Sequence, residues 1–118
     1  MQYMLLIYEN ESEARGRSKE EQGKMFGEYR AFTNELKGAG KMLSGQPLES
    51  VTTATTVRVK GGKTLRTDGP FAETREQLGG YYAVEAKDLD EAVMLAAKIP
   101  AARSGCIEVR PIMPMPSM

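Results

Sequence analysis

The acid–base side chain that stands out in this sequence lies in the turn Asp68-Gly69-Pro70-Phe71. A carboxylate held in a cleft can act as a general base, so Asp68 is the candidate catalytic residue. Arginines pair with anionic substrates through two parallel hydrogen bonds, and tyrosine hydroxyls orient ligands. The predicted ligand-binding residues are Tyr3, Arg58, Arg66, Phe71 and Tyr82.

The same turn has a structural interpretation. In that view Asp68 hydrogen-bonds to its own backbone, Gly69 takes an unusual dihedral angle, Pro70 stiffens the chain and Phe71 anchors the loop in the core. A general base needs a pKa raised by burial, which depends on the fold. Both interpretations of Asp68 stay open here. So do a core role for the tyrosines and a solvated-surface role for the arginines.

The absence of some residue types excludes whole classes of mechanism. The chain has no histidine and a single cysteine, Cys106, which we predict to be buried in a strand. A Ser-His-Asp or Cys-His mechanism, a disulfide and a zinc–cysteine cluster are therefore impossible within one chain. Gly38-Ala39-Gly40-Lys41 fails the Walker pattern, because Glu35 and Met42 stand where glycine and Ser/Thr are required. We predict no cofactor and no metal.

The net charge and the hydropathy of the chain predict its partners and its cellular compartment. Sixteen basic and sixteen acidic residues cancel, whereas nucleic-acid binding draws on a basic excess, so we predict no nucleic-acid partner. The apolar run Tyr3–Tyr8 ends at Glu9, lacks a preceding basic region and is too short to cross a bilayer. We predict a cytoplasmic protein with no membrane partner, in keeping with the lack of disulfides.

The elements that must position these side chains follow from hydrophobic periodicity. Gln2–Tyr8 predicts a strand that is apolar on both faces, and the polar Asn10–Arg17 predicts a loop. Ser18 and Glu21 form a capping box that begins a helix, and Gly38–Gly40 ends it. The predicted buried face of that helix comprises Met25, Tyr29, Phe32 and Leu36.

The second half of the chain alternates strands with one helix. Lys41–Leu48 predicts a strand, and Thr53–Lys60 and Lys63–Thr67 predict a hairpin around Gly61-Gly62. Gly79–Ala86 and Ile107–Ile112 predict two further strands. Asp88 caps the second helix, whose predicted buried face comprises Leu89, Ala92, Val93, Ala96 and Ile99.

This order predicts an α+β fold, namely a ferredoxin-like β-α-β-β-α-β pattern with an inserted β-hairpin. We assign residues 1–112 to one domain and residues 113–118 to a flexible tail. Two helices cover one sheet face, yet the other face is also apolar. A second copy packed sheet against sheet as a dimeric α/β-barrel would cover it. The alternative is that residues 41–55 fold over that face.

The segment Thr67–Tyr82, with the sequence TDGPFAETREQLGGYY, resembles the signature of the DGPF branch of the YCII-related family. Tyr3–Tyr8, Ala54–Arg58, Pro100–Arg103 and Ile107–Pro111 match as well. The resemblance implies a ferredoxin-like dimeric α+β barrel, bacterial origin and a link to extracytoplasmic-function sigma factors. Some broader relatives are thought to be enzymes with a His-Asp pair in the cleft.

That enzymatic assignment does not carry over to a chain without histidine, and Asp68 is the acidic residue comparable with the pair. We predict an uncharacterised YCII-related homodimer that binds a small molecule in an inter-sheet cleft. Cofactor-free acid–base catalysis is compatible with its residues. The alternative is a non-catalytic regulatory or interaction module linked to a sigma factor.

Overall fold

The computed structural model describes residues 1–116, so the predicted tail lies within it except for Ser117 and Met118, which fall outside the described residues. Two short 3-10 helices span Val51–Thr53 and Pro100–Arg103. The α-helices and strands are β1 (Gln2–Glu9), α1 (Glu11–Arg15), α2 (Lys19–Gly38), β2 (Met42–Pro47), β3 (Thr55–Lys60), β4 (Lys63–Asp68), β5 (Gln77–Glu85), α3 (Leu89–Ala97) and β6 (Cys106–Pro111).

Four strands form one antiparallel sheet in the order β2-β5-β1-β6. Without the separate β3–β4 hairpin, this is the strand order of a ferredoxin-like β-α-β-β-α-β fold. The predicted fold class is therefore confirmed. Strand β1 is central, and Leu5 faces Tyr82 of β5 on one side and Val109 of β6 on the other.

Local signals place the two long helices. The Ser18 side chain accepts a hydrogen bond from the Glu21 backbone N–H at the start of α2, and the Asp88 side chain does the same for Glu91 at the start of α3. Each cap satisfies a backbone donor that would otherwise lack a partner. Both predicted caps are confirmed.

The core lies between these helices and one face of the sheet. Leu5, Leu36 and Ile99 are almost fully buried there. Each such side chain contributes roughly 1.5–3 kcal/mol relative to an exposed one. The rest of the buried cluster comprises Tyr3, Ile7, Phe32, Tyr82, Val84, Ala86, Ala92, Leu95, Ala96 and Ala101.

The other sheet face, which we call the open face, carries the alternate side chains of the central strands. Met4, Leu6 and Tyr8 of β1 are partly exposed there, and register pairs Leu6 with Tyr81 and Met4 with Ala83. This apolar character is as predicted. Residues 42–47 of the segment considered as a cover form the edge strand β2 instead.

The β3–β4 hairpin, Thr55–Asp68, projects from the body, and we call it the arm. Gly61 and Gly62 have φ values of 55° and 76°, the left-handed conformation that a tight two-residue hairpin turn requires. Every arm side chain is exposed except the partly exposed Thr56. The Cα radius of gyration is 16.4 Å, against about 13.5 Å for a compact chain of this length.

Several local predictions are wrong. Glu11–Arg15 forms a short helix rather than a loop, because the Asn10 side chain caps it by accepting from the Glu13 N–H. Leu89 and Val93 are 53% and 50% exposed, since the buried face of α3 runs through Ala92, Leu95 and Ala96.

Two more predictions of buried side chains are wrong. Phe71 is 81% exposed and does not anchor a loop in the core. Cys106 is exposed rather than buried, because it lies on the open-face side of β6 opposite Tyr8. In residues 1–116, no helix combines the length and hydrophobicity needed to cross a membrane.

Candidate functional site

A cavity of about 620 Å³ lies between helix α2 and strands β1, β2 and β5. Its size is in the range of sites for small organic molecules. Helix α2 supplies one wall, and the neighbouring edge strand β2 and strand β5 supply the other. The lining residues are Ile7, Glu9, Phe26, Tyr29, Arg30, Thr33, Asn34, Lys37, Met42, Gly45, Gln46, Pro47, Gly79, Gly80, Tyr81 and Tyr82.

Two glycines allow β2 and β5 to come together beside the cavity. A Cβ atom on Gly45 would lie 2.9 Å from the Tyr82 ring, and one on Gly80 would lie 3.0 Å from the Gln46 carbonyl oxygen. Both distances are below normal van der Waals contact. The glycines therefore keep backbone and ring in close approach where a side chain would push them apart.

Tyr82 joins the strand wall to the helix wall. Its hydroxyl lies 2.8 Å from the Thr33 hydroxyl of α2. Its ring meets Phe32 edge to face, with centroids 5.1 Å apart. These contacts fix the tyrosine hydroxyl at the cavity wall, where a ligand oxygen would find a prepared hydrogen-bonding group.

Glu9 brings a carboxylate to the cavity at the end of β1. Its Oε2 accepts hydrogen bonds from the guanidinium of Arg17 and, at 2.7 Å, from the hydroxyl of Ser104. Glu9 and Arg17 are each only 20% exposed, so the pair is more constrained than a surface ion pair. Arg17 neutralises much of the negative charge that Glu9 contributes.

Tyr29 lies beside this carboxylate on α2. Burial, reinforced by the negative charge of Glu9, raises the pKa of Tyr29 to about 12. Opposing effects of the Ala101 backbone and Arg17 are smaller. The phenol thus stays protonated at neutral pH and presents a hydrogen-bond donor or acceptor, not a phenolate.

Two cations on α2 complete the cavity wall. Arg30 and Lys37 follow the same helix face as Thr33, and in the part of the chain that is described neither lies within 4.0 Å of a carboxylate oxygen. Arg30 instead lies over the Phe26 ring, 5.9 Å from its centroid. With Glu9 paired, the net charge of the lining is positive, which favours an anionic ligand.

The structure places the six predicted site residues in three regions, namely the cavity wall, the core, and the arm with the turn that follows it. Tyr82 lines the cavity, whereas Tyr3 is 3% exposed within the core, where its hydroxyl donates to the Met1 sulfur. Arg58 and Arg66 lie on opposite sides of the arm, because register pairs Arg58 with Leu65 and Arg66 with Val57.

Asp68 ends the arm, and Phe71 follows it in the exposed turn. Among residues 1–116 the Asp68 carboxylate has no hydrogen-bond partner, so the expected bond from Asp68 to its own backbone is not formed. The unusual dihedral predicted for Gly69 is present, with φ 97°. The cavity lining includes none of the four predicted site residues Arg58, Arg66, Asp68 and Phe71.

Sequence reasoning missed Glu9, Tyr29, Arg30, Thr33 and Lys37 as cavity residues. One signal was available, since Phe26, Arg30, Thr33 and Lys37 recur on one face of α2 at intervals of three or four residues. That stripe combines apolar, polar and charged side chains, a composition that is also typical of a solvated helix face. Within the described residues, no three His, Cys, Asp or Glu side chains are grouped so as to hold a metal ion.

Comparisons with known proteins agree with this fold. An uncharacterised protein of Rhizobium meliloti (strain 1021) is 39% identical over 114 residues, covering 95% of this chain and 92% of that protein. A solved structure, 5-chloro-2-hydroxyhydroquinone dehydrochlorinase (TftG) of Burkholderia phenoliruptrix AC1100 in complex with 2,5-dihydroxybenzoquinone, superposes with a TM-score of 0.56.

That structure is 15% identical, and the match covers 96% of this chain and 94% of the dehydrochlorinase chain; at this identity the likeness shows the fold alone. The profile of the YCII-related domain matches residues 1–116. This match spans nearly the whole length of the sequence. The chain therefore belongs to the YCII-related domain family.

Proposed function

We propose that this chain forms a homodimer and binds a small anionic molecule, with an aromatic ring or one of similar size, in the cavity beneath α2. The observation that carries the proposal is the pairing of an apolar-floored cavity with two cations, Arg30 and Lys37, that lack a carboxylate partner among the described residues. An anionic group would satisfy these cations while its ring covers apolar surface.

The hydroxyls give this site directional contacts. Tyr29, whose phenol is protonated at neutral pH, and the Tyr82–Thr33 pair offer donors and acceptors at the cavity wall. A ligand oxygen bound there would replace water with preorganised partners. The related fold of the dehydrochlorinase, solved with 2,5-dihydroxybenzoquinone, supports the choice of hydroxylated rings as first probes.

Acid–base catalysis in this cavity would depend on Glu9 as the base and Tyr29 as the proton donor. The arrangement favours binding over catalysis, because Glu9 Oε2 already accepts from Arg17 and Ser104. One of the two carboxylate oxygens of Glu9 is therefore already occupied. Any catalytic step would use the remaining carboxylate oxygen.

The homodimer is proposed from the open face. Met4, Leu6, Tyr8 and Tyr81 form an apolar centre there that the two long helices, packed on the opposite face, do not cover. Two such faces packed about 10 Å apart would form a second core. Light scattering at micromolar concentration should give twice the chain mass of 13.0 kDa, and a Leu6→Glu variant should reduce it toward one chain.

The ligand proposal is tested by calorimetric titration with benzoate, 2,5-dihydroxybenzoquinone and uncharged benzamide. The two anionic or acidic probes should bind and benzamide should not. Arg30→Gln and Lys37→Gln should each weaken binding about tenfold, as expected for one charge-assisted contact. Lys24→Gln, on α2 but outside the cavity, is the matched control.

Equal affinity for benzamide, or equal losses in the Lys24→Gln control, would contradict the anion site. No heat with any probe from a folded dimer would instead favour the alternative, in which the chain is a non-catalytic regulatory module linked to a sigma factor.

A further inference from the structure

We infer that the arm of each chain, Thr55–Asp68, packs against the second copy in the homodimer and does so reciprocally. This inference rests on the homodimer proposed above and adds a segment to its interface. The occupant of the arm is thus a second copy of this chain. Three properties of the arm support that choice, namely its isolation, its apolar side and its charge, together with the composition of the open face.

The arm has almost no attachment to its own body. Among the described residues, the hydrogen bonds that link it to flanking chain are at its base, where the Gly69 N–H donates to the Ala54 carbonyl at 2.8 Å and the Thr56 hydroxyl donates to the Gly69 carbonyl at 2.9 Å. A two-stranded hairpin alone is marginally stable in water. Packing against another surface would supply the missing stabilisation.

One side of the arm is suited to a protein surface. Val57 and Val59, two residues apart on β3, are 59% and 69% exposed and point to the same side. Register places Arg66 beside Val57 on that side. The opposite side carries Arg58 and Leu65, and Leu65 is less exposed at 44%. The Val57–Val59 side is therefore the contact side.

Charge points to a copy of the same chain. The arm holds four cations against the single carboxylate of Asp68, a net charge of +3. Since the whole chain has sixteen charges of each sign, the rest holds twelve basic and fifteen acidic residues, a net charge of −3. Of its four cations only Arg66 lies on the contact side, because register places Arg58, Lys60 and Lys63 on the opposite side. The charge therefore draws the arm as a whole toward an acidic body and does not itself form the contact.

The open face offers a complementary surface. Glu108 of β6 pairs with Leu6 in register and so lies beside the apolar centre, and Glu76 accepts a hydrogen bond from Cys106 at the same edge. An arm from the other copy would lie along this β6 margin, with Arg66 near Glu108 or Glu76, while the apolar centre itself is buried between the two sheets. Arg110 also lies on this margin, opposite Met4. Because a two-fold interface uses the same surface on both subunits, each copy would give one arm and receive one.

Mixed isotope cross-linking tests the inference on the unmodified sequence. Equal amounts of ¹⁴N- and ¹⁵N-labelled protein are unfolded in urea, refolded together and treated with a carbodiimide, which joins lysines to carboxylates. Lys60 and Lys63 flank the turn at the tip of the arm, where their long side chains can reach carboxylates beyond the contact side. Peptides holding either lysine should be joined to body peptides, and about half of those pairs should be mixed in isotope, as random pairing between two copies requires.

Arm-to-body pairs of one isotope only would mean that the arm folds back on its own body and would overturn the inference. A dimer without any arm-to-body pairs would also overturn it, while leaving the homodimer of the proposed function intact. A protein that stays monomeric would remove both.

Two variants add a measured affinity. Val57→Thr with Val59→Thr keeps strand-forming residues but removes the apolar strip, and should weaken dimer association at least tenfold. A second variant replaces residues 56–67 with Asn-Gly, which keeps Thr55 opposite Asp68 and forms a tight turn. It should weaken association similarly and leave benzoate binding unchanged, because no arm residue lines the cavity. An unchanged dimer affinity in both variants would refute the arm contact.

Discussion

The hydroxyls of Tyr82 and Thr33 lie 2.8 Å apart and connect strand β5 to helix α2 at the wall of the cavity. A neutral hydrogen bond of this kind contributes about 0.5–1.5 kcal/mol to the free energy of unfolding. A double-mutant cycle with Tyr82→Phe and Thr33→Val, followed by urea denaturation, should give a coupling energy in that range. A coupling near zero would mean that solvent satisfies both hydroxyls.

Tyr29 should make stability depend on pH in the alkaline range. Its pKa is raised to about 12 from the ordinary 10.0, so the folded state keeps a proton that the unfolded state loses between those values. The stabilisation is fully present below pH 10 and is lost as pH rises through 12, by roughly 2–3 kcal/mol. Urea denaturation at pH 9, 10 and 11 should show the decline.

Tyr29→Phe is the control for this titration. It removes the group, so the difference between the two proteins should be constant below pH 10 and change above it. In an ultraviolet titration of the folded protein, one of the five tyrosines should ionise at higher pH than the others. That late step should be missing in the variant, which keeps four tyrosines. Parallel curves up to pH 12 would contradict the raised pKa.

The two faces of α3 should respond differently to the same substitution. Leu95 is 9% exposed within the core cluster, whereas Leu89 is 53% exposed. Leu95→Ala should lower the free energy of unfolding by about 2–5 kcal/mol, as removal of a buried leucine does. Leu89→Ala should change it by less than about 0.5 kcal/mol. If chemical denaturation shows equal losses of unfolding free energy for the two variants, Leu89 is buried as well, which contradicts this packing of α3.

Asp68→Asn should leave stability nearly unchanged. The carboxylate is exposed and has no hydrogen-bond partner among residues 1–116, so the change should be within about 0.5 kcal/mol in urea denaturation. Because the substitution removes the one carboxylate of the arm, dimer association should not weaken. A loss above 1 kcal/mol in the dilute, monomeric protein would show that Asp68 stabilises the turn after all.

Much of the fold could be predicted because its signals are local. Ser18 and Asp88 each cap a helix through a bond to a backbone group three residues on, and Gly61-Gly62 sets its own turn. The buried face of α3 was harder to predict, because two overlapping apolar stripes fit its sequence, one containing Leu89 and the other Leu95. The packing of α3 against the sheet buries the stripe that contains Leu95, and residue spacing alone does not determine that packing.

The cavity could not be predicted from the same kind of signal. Arg30 and Lys37 have the composition of a solvated helix face, and they become cavity residues only because α2 passes over the edge formed by β2 and β5. Glu9 gains its restricted setting from Arg17 and from Ser104, which is 95 residues away in the chain. Such long-range contacts depend on the whole topology.

The position of β1 at the centre of the sheet has a consequence for synthesis on the ribosome. Tyr3 pairs with Pro111 of β6, so one edge of β1 lacks its partner until 108 further residues have been added. At 5–20 residues per second, that edge stays unpaired for about 5–20 s. During that time the apolar side chains of β1 on that edge have no neighbouring strand to pack beside.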